Sequence, residues 1–335
     1  MPHSITLIYG DGIGPEVVRS AVEVIDESGV KINWQESLLG LSAMERYNEA
    51  VPKDTLLSIK KTKVALKGPT TTPVGGGHIS ANVVLRKELD LYACIRPIKS
   101  IPTVETRFSD VDIVVIRENT EGLYAGPEVE LAPGVVVSFR VMTEKGCTRI
   151  AKTAFHYADK FKRHQVTLGH KANILKLGDG LLLQAARRIR ADFPKISYEE
   201  AIVDALAMRL VSEPRNFDVI VLENMFGDII SDLCAGLVGG LGLVPGANIG
   251  DEYAVFEAVH GSAPDIAQQD LANPCAMIAS ALMMLRYLEE YEAAERIEKA
   301  LFAVLAEKPL RTRDLGGKAG TKEFTTHVIR KLRNR

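Results

Sequence analysis

Only four cysteines occur in the 335 residues, at positions 94, 147, 234 and 275, and no two form a CxxC pair. That scarcity excludes a disulfide-built framework and leaves buried thiols in a reducing compartment, here read as the cytoplasm. An excess of one charge is also missing: 41 Lys and Arg face 43 Asp and Glu, a net −2. Such a balance gives no electrostatic footprint for nucleic acid or an anionic membrane, so the natural partner is a small molecule. No basic segment followed by a long apolar run opens the chain, because Asp11 interrupts "ITLIYG", and no export signal is expected. Residues 233–250, "LCAGLVGGLGLVPGANIG", carry no charge. Their glycines and Pro245 make a poor bilayer span, and an apolar helix end and turn buried between domains or subunits is expected instead. Internal repeats and low-complexity linkers are absent as well, so any domain boundary must lie within a compact body.

What is present is a large apolar fraction, 46%, enough for one large α/β unit or two closely joined domains. Runs resembling buried strands alternate with runs of helical period, which predicts a mostly parallel sheet covered by helices. The strand candidates are "SITLIY", "KINWQES", "TKVALKG", "VDIVVIR", "HQVTLGH", "SYEEAIVD" and "FDVIVLE". Helices are predicted over 15–28, 53–61, 82–89, 143–161, 179–192, 205–212, 227–237, 272–285 and 291–306. Residues 123–141 differ: two short alternating runs joined by "APG" predict a β-hairpin.

The stretch "YGDGIGPE" has the strand-loop-helix setting of a dinucleotide fingerprint, with Pro15 suited to the first helical position. Its glycines at 10, 12 and 14 are one residue too tight for G-x-G-x-x-G. Glu36 is the one acid near the ribose-binding distance. A tight structural turn is the better reading.

Polar residues follow four of the strands: Arg117-Glu-Asn-Thr-Glu121, His170-Lys-Ala-Asn173, Asp204, and Asn224-Met-Phe-Gly-Asp228. Helix caps and rim ion pairs explain any one of these, but four together point to a rim where ligands gather. Asp228 and Asp232 stand four apart, so both carboxylates share one helical face. A divalent cation, Mg²⁺ or Mn²⁺, relieves the repulsion of such a pair, with Asp204 as a third candidate ligand. Acids at this spacing also decorate ordinary helices and are favoured at helix N-termini. Arg86, Arg96 and Arg117 sit at predicted element ends, where guanidiniums capture carboxylates bidentately; salt bridges to Glu88, Asp90 or Glu118 are the plainer alternative for each. Three arginines beside a metal suit a small polyanionic acid.

Six segments together carry a family likeness: "GDGIGPEV", "KGPTTTPVGGGHISANVVLRKELDLYACIRP", "VIRENTEGLYAG", "HKANILKLGDGL", "FDVIVLENMFGDIISDLCAGLVGGLGLVPGANIG" and "VFEAVHGSAPDIAQQDLANP". The chain resembles the metal-dependent β-decarboxylating dehydrogenases from Thr6 to about Phe324, and most of all their NAD-dependent isocitrate branch. The resemblance implies an isopropylmalate dehydrogenase-like α/β fold of two domains, non-Rossmann, with a β-hairpin clasp. It implies a large domain from 1–98 and 239–335, and a small domain over 99–238 that holds the dimer interface, the metal site and the clasp at 123–141. In that family the glycine loop is structural. The resemblance places NAD against His260, Gly261, Ser262, Ala263, Pro264, Asp265 and Ile266, with Asn273 at the adenine and Thr72 near the nicotinamide. A carboxylate at Asp265 accepts from ribose hydroxyls and repels a 2′-phosphate, which favours NAD, with Arg313 the one competing phosphate partner.

By the same resemblance, Ser80 and Asn82 hydrogen-bond the γ-carboxylate of isocitrate. Left unpaired by an alkyl substrate, each such group costs about 1–3 kcal/mol; homoisocitrate, one methylene longer, is the nearest competitor. Arg86, Arg96 and Arg117 are implied to clamp carboxylates while the metal on Asp204, Asp228 and Asp232 holds the C2 hydroxyl and its carboxylate. Lys171 is implied to assist removal of the hydroxyl proton, and Tyr124 to protonate the enol carbon after hydride transfer and loss of CO₂. For Tyr124 a packing role at a subunit contact is the plainer alternative. Each site is expected to draw Lys171 and Asp204 from a second copy, as a homodimer or larger homo-oligomer. A non-catalytic regulatory subunit should lack part of this set, and all of it is present.

Overall fold

The computed structural model describes residues 2–71 and 80–334. Strands run through β1 (His3–Ile8), β2 (Ile32–Ser37), β3 (Val64–Lys67), β4 (Ala93–Lys99), β5 (Asp112–Glu118), β6 (Glu128–Ala132), β7 (Val135–Ser138), β8 (Gln165–His170), β9 (Ser197–Ile202), β10 (Val219–Leu222), β11 (Pro245–Ile249) and β12 (Ala254–Ala258). Helices are α1 (Gly14–Ser28), α2 (Leu41–Tyr47), α3 (Lys53–Thr62), α4 (Ala81–Glu88), α5 (Glu144–Lys160), α6 (Gly178–Ile189), α7 (Val203–Ser212), α8 (Asn224–Leu237), α9 (Cys275–Tyr287), α10 (Tyr291–Ala306) and α11 (Thr321–Arg333).

Ten strands form one sheet in the order β2-β1-β3-β12-β11-β4-β5-β10-β8-β9. Pairing is parallel except around β11 and β4: β11 opposes both β12 and β4, and β4 opposes β5. The alternation along β5 shows why the sheet is covered twice. Ile113 and Val115 pack with α7 and α8 side chains such as Leu206, Leu210, Ile230 and Cys234. Val114 and Ile116 pack instead with Ile150, Phe155 and Leu182 from α5 and α6. A strand buried on both faces reads as an unbroken apolar run. At the other end of the sheet, α1, α9, α10 and α11 cover one face and α3 and α4 part of the other.

Every predicted strand forms, and so does the hairpin, as β6 and β7. Strands β4, β11 and β12 and helices α2 and α11 were not predicted. Proline explains two of these: Pro97 lies inside β4 and Pro245 opens β11, and proline in a run normally argues against a central strand. The uncharged segment 233–250 thus ends not in a turn but in the strand "PGANI" at the centre of the sheet. Among the described residues no helix is long and apolar enough to cross a membrane. All four cysteines are buried and free.

Candidate active site

Strand register builds the site. Lys67 lies opposite Glu257, Glu257 opposite Gly246, Asn248 opposite Cys94, Cys94 opposite Arg117, and Arg96 opposite Val115. Directly opposed residues face the same side of a sheet, so charged side chains from four strands and Asn248 from a fifth share one face. There α4 and α8 stand apart, and a cleft of about 280 Å³ opens between them. Gly246, with no side chain, leaves its floor open. Arg96 is therefore a mid-strand residue, not one at an element end, and the cleft lies over the sheet face rather than beyond a row of parallel strand ends. Strands β5, β10, β8 and β9 are mutually parallel and do bring their polar followers to one rim. Only the β5 and β10 contributions reach the cleft.

Arg86, Arg96, Arg117, Tyr124, Asp228, Ser80 and Asn82 all line this cleft. Arg117 is almost fully buried and Arg96 nearly so. Arg96 Nη1 donates to Ser231 Oγ at 2.6 Å and Asp232 Oδ1 at 3.1 Å, and its Nη2 lies 3.4 Å from Asp228 Oδ1. Arg117 Nε and Nη2 donate to Asn224 Oδ1 at 3.0 and 2.7 Å, while its Nη1 pairs with Asp228. Gly227 makes that approach feasible, because a Cβ there would stand 2.6 Å from Arg117 Cγ. The premise that the two acids go unneutralised is thus corrected: the guanidiniums compensate them.

Tyr124 donates to Asp228 Oδ2 at 2.6 Å, with the Arg117 guanidinium 5.1 Å from its ring centroid. Burial pushes the Tyr124 phenol up, and the Asp228 charge adds to this. Burial also opposes ionisation of Asp228, but Arg117, the Tyr124 hydrogen bond and Arg96 outweigh it and hold that carboxyl below its ordinary value. Asp232 moves the other way: burial and the neighbouring Asp228 charge raise it against the pull of Arg96.

Asn82 Oδ1 accepts from Thr70 Oγ1 at 3.0 Å. Arg86 is steered by Glu257, whose Oε1 accepts from Arg86 Nη2 at 3.2 Å and Asn248 Nδ2 at 2.7 Å, while Oε2 pairs with buried Lys67 at 2.5 Å. Glu257 stays ionised despite burial because Lys67 and then Arg86 lower its pKa. Sequence reasoning placed Asn224 at the rim but passed over Lys67, Asn248 and Glu257. For Lys67 and Glu257 the one signal was a lone charge in an apolar strand, as in "VALKG" and "AVFEAV".

His260 and Gly261 close the other end of the cleft. Burial lowers the His260 pKa and keeps the ring neutral. Ser262 Oγ lies 2.6 Å from Thr71 Oγ1, and its carbonyl accepts from Ile13 N–H at 2.8 Å. Ala263 is left-handed at φ 36° and leads into a short turn, Pro264–Ile266, that exposes Asp265. Asn273 is tied to Asp314 at 2.8 Å and accepts from Cys275 N–H at 2.9 Å. The glycine loop is structural, as expected: Gly12 has φ 59°, and a Cβ there would meet the Ser262 carbonyl oxygen at 2.0 Å. Asp11 accepts the backbone N–H groups of Leu41, Ser42 and Thr71, while Glu36 accepts from the Tyr9 hydroxyl at 3.2 Å. Thr72 falls outside the described residues.

Lys171 pairs with Asp204, and neither lines the cleft. Among the described residues no three His, Cys, Asp or Glu side chains converge as a metal cage. One chain therefore brings together Asp228 and Asp232 but not Asp204. Two carboxylates at a cleft edge fit a hard divalent cation that takes its remaining oxygens from water, substrate or another chain.

Relatives match most of the chain or all but a few of its residues. The chain is 49% identical to a mitochondrial NAD isocitrate dehydrogenase catalytic subunit of Arabidopsis thaliana, over 98% of this chain and 88% of that one. A mitochondrial NAD isocitrate dehydrogenase regulatory subunit from Dictyostelium discoideum is 46% identical over 98% and 91%. A chloroplastic 3-isopropylmalate dehydrogenase of Solanum tuberosum is 48% identical over 90% and 85%. Among solved structures, isocitrate dehydrogenase from Methylococcus capsulatus superposes with a TM-score of 0.97 at 48% identity, covering 99% of both chains. The NAD isocitrate dehydrogenase relatives are designated mitochondrial, which overturns the expectation of a cytoplasmic protein; four scattered cysteines argue against a disulfide framework but do not identify a compartment. The isocitrate/isopropylmalate dehydrogenase family model matches residues 4–328, and the chain belongs to that family.

Proposed function

We propose that this chain is a catalytic NAD-dependent isocitrate dehydrogenase, converting isocitrate and NAD⁺, with the help of a divalent cation, into 2-oxoglutarate, CO₂ and NADH. The observation that carries the reading is the convergence of three guanidiniums, Tyr124 and Asp228 in one cleft with Ser80 and Asn82 at its wall. Arg86, Arg96 and Arg117 bind and orient the substrate carboxylates, which fixes the reacting carbon. Ser80 and Asn82 recognise the γ-carboxylate, the feature that separates isocitrate from 3-isopropylmalate. Tyr124, held protonated, delivers a proton to carbon. Asp228 and Asp232, joined by Asp204 of a second copy, would hold Mg²⁺ or Mn²⁺, which would supply Lewis acidity, and residues 260–266 with Asn273 and Thr72 would hold NAD⁺, which would supply the hydride acceptor. Lys171 of the second copy takes the hydroxyl proton.

Exposed Val129, Leu131, Val135, Val136 and Phe139 on the hairpin support a clasp between two copies. The separate apolar clusters at the two ends of the sheet support a large domain of 1–98 and 239–335 and a small one of 99–238. Two other readings have specific support: the identity to a 3-isopropylmalate dehydrogenase, beside which homoisocitrate stands as the nearest substrate, and the identity to a regulatory subunit. The test is the purified chain alone with isocitrate, Mg²⁺ or Mn²⁺, and NAD⁺ or NADP⁺. Turnover that prefers NAD⁺ and is abolished by EDTA supports the proposal. No turnover supports the regulatory reading, and equal or better use of NADP⁺ refutes the role given to Asp265.

A further inference from the structure

Outside the cleft, one guanidinium stands between two deeply buried carboxylates. Arg140 follows strand β7 of the hairpin, next to the bridge between Gly122 and Val141 that closes the hairpin's base. Its Nη1 donates to Asp179 Oδ1 at 2.6 Å, and its Nη2 lies 3.3 Å from Glu223 Oε2. Asp179 and Glu223 are 0% and 1% exposed. Each acid spends its other oxygen on a backbone N–H that matters to the proposed chemistry. Asp179 Oδ2 accepts from Lys171 N–H at 2.5 Å, and Glu223 Oε1 accepts from Phe226 N–H at 2.9 Å, capping the helix that bears Asp228 and Asp232. The Arg140 guanidinium also lies 5.5 Å from the Phe226 ring centroid. Gly122, at φ 77°, lets the hairpin base pass Glu223, since a Cβ there would stand 3.0 Å from Glu223 Oε2.

We propose that Arg140 is a positioning residue that, through Asp179 and Glu223, fixes both Lys171 and the acid-bearing helix to the base of the hairpin. The inference rests on the reading of Lys171 as the proton acceptor. Two buried anions tolerate ionisation only beside a fixed cation. Removing the guanidinium takes away the group that fixes both carboxylates in place, and a carboxylate that turns away releases the backbone N–H it holds. On the two-copy reading, Lys171 serves the second copy's cleft while α8 serves its own, so Arg140 couples the two sites to which one chain contributes.

The test is steady-state kinetics of the full-length protein with isocitrate, Mg²⁺ and NAD⁺. Arg140→Met is expected to lower kcat about 30-fold with the isocitrate KM within about threefold, a loss of orientation rather than of binding. Arg140→Lys, which keeps the charge, should restore kcat to within about threefold of wild type. In a Lys171→Met background, Arg140→Met should cost clearly less than its full factor in wild type, because one of its two routes is already lost while that through the acid-bearing helix remains. If Arg140→Met does not fold, Asp179→Asn, equal in size, carries the same expectations. A full multiplicative loss in the Lys171→Met background, an unchanged kcat, or a rise in KM alone overturns the proposal. Full activity of Lys171→Met by itself instead overturns the reading of Lys171 on which it rests.

Discussion

Tyr124 and Asp228 show how little separates a packing contact from chemistry. The phenol is held protonated by burial and by the neighbouring carboxylate it donates to, as a proton donor requires. Tyr124→Phe removes only that oxygen. Its kcat is expected to fall about 100-fold or more with KM changed little, whereas an unchanged kcat would return Tyr124 to a packing role. Glu257 makes a different demand. Its folded pKa lies below the ordinary 4.5, so its stabilisation is complete above that value and is lost as pH falls through the folded pKa. Glu257→Gln leaves Lys67, 1% exposed, without its anion, and is expected to cost about 3–5 kcal/mol at neutral pH. In urea unfolding the gap to wild type should narrow as pH drops below 4.5; a gap independent of pH would show that Glu257 stabilises by shape alone.

The loop between β1 and α1 locks the segment assigned to the cofactor. Ile13 N–H holds the Ser262 carbonyl at 2.8 Å, and only glycine fits at position 12. Gly12→Ala adds about 1–2 kcal/mol of left-handed strain plus a clash with Ser262, and should raise the KM for NAD⁺ about tenfold with that for isocitrate nearly unchanged. Gly29→Ala is the control: φ is 87° there but nothing lies within 4 Å, so stability alone should fall. Equal kinetic effects from both would refute the lock. The same loop shows what was legible beforehand. Its spacing was one residue short of a nucleotide fingerprint, and it is structural. Amphipathic helices such as α1 and α5, and doubly buried strands such as β5, announce themselves because one period dominates. Strands β4, β11 and β12 do not, because Pro97, Pro245 and short runs of small residues hide them. With them was hidden the placement of Arg96, Asn248 and Glu257 on one sheet face, since register between distant strands leaves no trace in local sequence.

Assembled, the molecule has to divide its chemistry between copies if Lys171 and Asp204 serve a cleft other than their own. Tyr124→Phe and Lys171→Met, each strongly impaired as proposed, should then complement. Random exchange of subunits in an equal mixture regenerates one intact cleft per mixed dimer, so about a quarter of wild-type activity should return. No recovery after verified exchange would place both residues in the same cleft.

The central claim is that a cationic cleft bearing a metal-binding acid pair recognises a small tricarboxylate. The most direct measurement is kcat/KM of the lone purified chain for isocitrate, homoisocitrate and 3-isopropylmalate, side by side with NAD⁺ and Mg²⁺. Isocitrate is expected to lead 3-isopropylmalate by at least about 100-fold, the worth of two buried polar groups left unpaired, with homoisocitrate between them. A preference for 3-isopropylmalate, or no turnover of any of the three acids, would contradict it.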